Sequence, residues 1–175
     1  LLFLGHTPGG VGILPFGRQM RLIWDAARED DPYADWMLLK VYDALVQLRT
    51  ELRVEIQTYQ QAIDKVYSQS SLRYTPFVSD TPVSKSLWFK TQYGYLAAGI
   101  VSIFDLLMRT IFTAHRLGVL LERSQEVVKN DWVAKIDNHF KLPFKWQSFR
   151  ITRSDIQAGN EMAQSAQAVL GKIPL

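Results

Sequence analysis

Pro82-Val-Ser-Lys-Ser-Leu-Trp-Phe-Lys-Thr91 is the stretch on which the fold turns. Over its middle, apolar and polar residues alternate with the period of a half-buried strand. Leu87 and Phe89 fall on one face, and Ser84, Ser86, Trp88 and Lys90 on the other. An apolar segment from Tyr93 to Ala114 follows, Gly118 breaks it, and an amphipathic stretch runs from about Leu120 to His139. Val83 to Asn138 therefore reads as one strand and two helices, the order of a ribbon-helix-helix unit. In that architecture the lone strand pairs antiparallel with its copy in a second subunit, and the ribbon enters the DNA major groove. Leu87 and Phe89 would then close a dimer core with Ile103 and Leu107, joined by Tyr95 and Ile111. The same alternation also fits an edge strand of an α+β domain.

On either side of this unit the chain reads as helix. Phe16, Met20, Ile23, Trp24 and Ala27 recur at helical spacing and predict a short amphipathic helix from Phe16 to about Glu29. Asp31 followed by Pro32 is an N-cap with proline at the first helical position, a strong start signal. No glycine or proline then intervenes before about Gln69, and Leu38, Val41, Leu45, Leu48, Leu52, Ile56, Tyr59, Ile63 and Val66 step by three and four. A helix of ~38 residues would be ~57 Å long. That exceeds what a compact domain needs, so it is expected to serve as an arm or an oligomer contact. Thr152-Arg-Ser-Asp155 has the capping-box pattern and starts a final helix that Gly171 ends. Three regions result. Residues 1–72 hold a glycine-rich loop, a short helix and the long arm; 73–140 hold the ribbon-helix-helix-like unit; 141–175 hold a basic, aromatic connector and the last helix.

Composition narrows the class. The chain has 175 residues, is 47% hydrophobic and 12% aromatic, and carries a net charge of +3. Such a chain packs a core, and its mild basicity is compatible with nucleic acid. It contains no cysteine, which excludes disulfides, thiolate metal sites and cysteine nucleophiles, and a cytoplasmic setting is expected. The apolar run at 93–114 is long enough to span a membrane, but Asp105 and Arg109 sit inside it one helical turn apart. Two charges are costly in lipid and pair readily in water, so no membrane partner is expected.

The residues of catalysis do not gather in the sequence. His6, His115 and His139 are widely separated and lack zinc-ligand spacing. Gly9-Gly10-Val11-Gly12 lacks the lysine and hydroxyl of a phosphate-binding loop. Asp30, Asp31 and Asp35 cluster where a helix begins, the place for caps rather than acid–base chemistry. Neither an enzyme nor a metal or organic cofactor is expected.

Asp31-Pro-Tyr-Ala-Asp-Trp-Met-Leu-Leu-Lys40, Gln92-Tyr-Gly-Tyr95 and Phe149-Arg-Ile-Thr-Arg-Ser-Asp155 form a set that resembles the AcaB-like family encoded by conjugative plasmids and integrating conjugative elements. The resemblance runs from about Phe16 to the C-terminus. It implies a dimeric ribbon-helix-helix activator of conjugative transfer genes in a Gram-negative bacterium. Double-stranded DNA and a second copy of the chain are then the partners, with RNA polymerase or a co-regulator as candidates for the long helix. Lys85, Ser86, Trp88 and Lys90 would face the DNA from the strand, and Arg116 and Arg123 from the turn between the two helices. The free N–H groups near Leu120 to Ser124 would add a phosphate contact. Trp88 departs from the pattern, because indole cannot make the bidentate base contacts of Arg, Lys, Asn or Gln. The alternative is an interaction or scaffold protein of the conjugative element that never touches DNA.

Overall fold

The computed structural model describes residues 10–68, 73–79 and 84–173. The first four residues, the loop at 6–9, the linker positions 69–71, and Pro82 and Val83 lie outside the described residues. Every regular element described is helical: α1 Ile13–Arg28, α2 Pro32–Tyr67, α3 Gln92–Arg116, α4 Glu122–Lys141, a 3₁₀ turn Leu142–Lys145, α5 Arg153–Ala158 and α6 Glu161–Leu170.

Among the described residues the expected strand is absent, and with it the ribbon-helix-helix unit and the edge-strand alternative; the mainly helical class holds. Residues 84–91 form no ladder and are irregular, with alternate side chains packed on the helices. The Phe89 ring fills a notch between two helices where both backbones are bare. A Cβ placed on Gly17 of α1 would stand 2.7 Å from Phe89 Cδ1, and one on Gly94 of α3 would stand 2.2 Å from Phe89 Cγ. The Phe89 N–H donates to Tyr95 Oη at 3.3 Å, and the two rings meet edge-on at 5.4 Å. Side-chain packing and a tyrosine hydroxyl thus take the place of a partner strand. The dimer core assigned to this strand lies within one chain: Leu87, Phe89 and Ile103 are half-buried against its core, and Leu107 is fully buried in it.

Local chemistry explains the helices. Asp31 Oδ1 accepts from Tyr33 N at 2.9 Å and Ala34 N at 3.1 Å, so the cap and Pro32 start α2 together. Gly118, at φ +70°, turns the chain out of α3. The final helix is in fact two. Gly159 at φ +61° ends α5, and Asn160 caps α6 by accepting from Ala163 N at 3.0 Å.

Helices α1 to α4 share one core. Phe16, Met20 and Ile23 of α1 meet Val41, Leu45, Leu48 and Leu52 of α2, Ile100, Leu107 and Ile111 of α3, and Ile136 and Phe140 of α4. Burying each such side chain is worth roughly 1.5–3 kcal/mol, which places the long helix within the fold rather than beside it. Helices α2 and α3 run parallel: Tyr93 Oη donates to Leu38 O at 3.0 Å near their starts, and Tyr67 Oη to Leu117 O at 3.0 Å near their ends. Parallel neighbours need a long return connection. Its first described part lies on the far end of α3, where Phe77 N donates to Thr113 Oγ1 at 2.8 Å. Its last part brings Phe89 to the near end.

Helix α3 is long and apolar enough to cross a membrane by length and composition, but it is packed as a core helix. Asp105 and Arg109 pair on its outer side at 3.1 Å.

Candidate nucleic-acid interface

The alternation read from the sequence survives as alternation of burial. Leu87 and Phe89 turn inward, Ser86 and Lys90 outward, and Trp88 is 74% exposed. Lys85 is also exposed. Trp88, Phe89 and Lys90 form one wall of a groove of about 250 Å³ whose other wall is α1, through Leu14, Gly17, Arg18 and Arg21. The α1 residues share a face for a simple reason. Phe16, Met20 and Ile23 take the inner side, so positions 14, 18 and 21 point the other way.

Charge on this groove is positive. Arg21 Nε lies 3.5 Å from Asp25, while Arg18, Lys85 and Lys90 have no ion pair among the described residues. An apolar floor with a cationic rim suits a phosphate-bearing polymer that also carries flat rings.

The remaining sequence candidates lie elsewhere. Arg116 and Arg123 are exposed at the α3–α4 turn. Twenty-four helical steps separate Gln92 from Arg116, about 36 Å at 1.5 Å per residue. They do not join Lys90 and Trp88 in one site. The amino end of α4 has no side-chain cap, and Glu122 stands in its first turn. That carboxylate complements the helix end and opposes a phosphate there. Conversely, Arg18, Arg21 and Leu14 were not anticipated. Their outward position is readable from the α1 periodicity, but their meeting with Trp88 depends on the Gly17–Phe89 contact.

A second groove, of about 300 Å³, lies between Glu29 and Asp31 on one side and Ser148, Arg150 and Thr152 on the other. Its charge is mixed, and it borders an ion-pair cluster in which Arg153 bridges Asp30 and Asp35. Burial pushes the Asp31 carboxyl above the usual range, against the pull of its two backbone hydrogen bonds. This groove has the chemistry of a helix start, and no group of three His, Asp or Glu residues able to hold a metal occurs among the described residues.

Comparison with known families places the whole molecule. A model of the AcaB transcriptional regulator family matches residues 5–175, nearly the entire chain. No curated protein and no solved structure matches it. The chain belongs to the AcaB family of transcriptional regulators.

Proposed function

We propose that this AcaB-family regulator is a cytoplasmic activator of conjugative transfer genes that binds double-stranded promoter DNA as a homodimer. The observation that carries the reading is the groove of Arg18, Arg21, Lys90 and exposed Trp88, with Lys85 on the same connection. DNA contact through this groove uses a helix face and an irregular segment, with no ribbon. Most of the affinity is electrostatic, since each phosphate neutralised by a cation releases counterions. Two copies would meet through helices: Tyr95 and Leu106 are exposed on one side of α3.

The test is charge reversal. Lys85→Glu combined with Lys90→Glu should abolish promoter activation, lower the slope of log affinity against log salt by about 2, and leave the helical spectrum unchanged. Molar mass in solution checks the dimer. A second reading, the DNA-free scaffold, is favoured by the exposed Leu39 and Tyr42 on α2 and Leu22 on α1. Unchanged transcription in the double variant would decide for it. The same α2 face is where an activator would meet RNA polymerase or a co-regulator.

A further inference from the structure

We infer that the Trp88 groove holds one unpaired base of a locally opened duplex, an assignment that rests on the DNA-binding reading above. The chain half-buries Phe89 and leaves Trp88, the larger aromatic residue, 74% exposed beside the cations of α1, a flat apolar surface open to a partner. The indole is also well supported. Its neighbours Leu87 and Phe89 both pack against the core, which anchors the backbone on either side of Trp88 and turns its side chain outward.

Chemistry selects the occupant. An intact duplex shows base edges and thymine methyls, whereas indole offers one N–H donor and a flat face. The flat face is fully used only by another flat ring, and in a duplex those faces are already stacked. An unpaired base has its face free, and aromatic stacking on it is tolerant of sequence. The groove, about 250 Å³, lies below the ~300–1,000 Å³ of pockets for drug-sized ligands, so it suits a single base. Leu14, Arg18 and Arg21 stand at i, i+4 and i+7 on one side of α1, and Lys90 faces them. A base can lie between Leu14 and Trp88 while the flanking phosphates meet the cations at the rim.

The experiment uses the full chain and three labelled oligonucleotides of one sequence: duplex, duplex with a short central mismatch bubble, and single strand. A 2-aminopurine in the bubble reports stacking directly. The bubble should bind more tightly than the duplex, with its 2-aminopurine fluorescence quenched. Trp88→Ala should weaken bubble and single-strand binding by about 5- to 150-fold and spare the duplex. Trp88→Phe should retain most of the affinity, and circular dichroism should show both variants folded. Arg18→Glu should weaken all three forms. Equal affinity for the three forms with no effect of Trp88→Ala overturns the inference and leaves promoter binding standing. Binding to none of them overturns both. Should Trp88→Ala abolish transcription while all DNA binding persists, the groove belongs to a protein partner and the inference falls.

Discussion

Two segments are fastened to the four-helix core in different ways. Residues 84–91 are held by shape, with Phe89 seated where Gly17 and Gly94 leave both helices bare. Residues 150–171 combine apolar anchors, Ile151 and Ala166 in the core, with polar ties: Arg153 on Asp30 and Asp35, and Tyr33 Oη donating to Gly171 O at 2.8 Å. No residue of α5 is fully buried, and α6 buries only Ala163 and Ala166. Packing of the first kind is indifferent to salt and pH, whereas exposed ion pairs respond to both. Salt and pH should therefore leave the Phe89 notch alone and act on the Arg153 cluster of the C-terminal segment.

The strongest way to break this contrast is to empty the notch. Phe89→Ala removes a half-buried ring and leaves a cavity, and the expected loss is about 2–4 kcal/mol in denaturant unfolding, the same at low and high salt. Unchanged stability would mean that the ring does not hold the segment. A sharper version compares two glycines of α3. At Gly94 a Cβ would sit 2.2 Å from Phe89 Cγ, while at Gly99 it would meet nothing within 4 Å. Gly94→Ala should destabilise by about 1–3 kcal/mol through overpacking. Gly99→Ala should stabilise by up to about 1 kcal/mol, because alanine restricts the unfolded chain and favours helix. Opposite signs five residues apart on one helix would identify the notch itself as the cause.

That notch is also where legibility of the sequence ends. The starts of α2 and α5 were written in Asp31-Pro32 and in the Thr152–Asp155 box, and the gap between α3 and α4 in Gly118, because each is set within a few residues. The segment 84–91 was misread for a physical reason. A period of two reports that an irregular chain has one covered side, but not whether a strand or a pair of helices covers it. Gly17 and Gly94 give no local sign of sharing a phenylalanine, since their contact depends on how α1 crosses α3. The same crossing decides that Arg18 and Arg21 meet Trp88, so only half of the candidate site could be foreseen. The single final helix failed on a signal that was present, since Gly159-Asn160 is both a stop and a new cap.

Removing the central cation tests the other fastening. Arg153→Ala should lower the melting temperature less than Phe89→Ala does, since its three-residue ion cluster is exposed to solvent. The deficit should shrink at 1 M salt, where a Debye length of ~3 Å weakens attraction between exposed charges. Melts of both variants at low and high salt check the pair. A salt-independent deficit for Arg153→Ala would show that Arg153 acts through packing of its stem and not through charge.

The smallest expected effects separate two neighbouring carboxylates. Asp30 is exposed, and the hydrogen bonds from Arg153 hold its carboxyl below the ordinary value of 3.8. Asp31 is buried at the helix start, and desolvation raises its carboxyl above that same value. The signs follow from proton linkage. A lowered group stabilises the fold at every pH above its unfolded value, and this contribution is lost as pH falls through the lower, folded one. Asp30→Asn should therefore be less stable than the parent at neutral pH, and the gap should close below pH 3.8. A raised group acts the other way: its charged form is disfavoured in the fold, and the parent gains stability as acid protonates it. Asp31→Asn keeps an oxygen to accept from Tyr33 N and Ala34 N while removing the buried charge. Relative to the parent it should do best at neutral pH and lose that advantage as pH falls toward 3.8. Denaturant unfolding across this range measures both, and slopes of the same sign at the two positions would show that burial of Asp31 does not outweigh its cap.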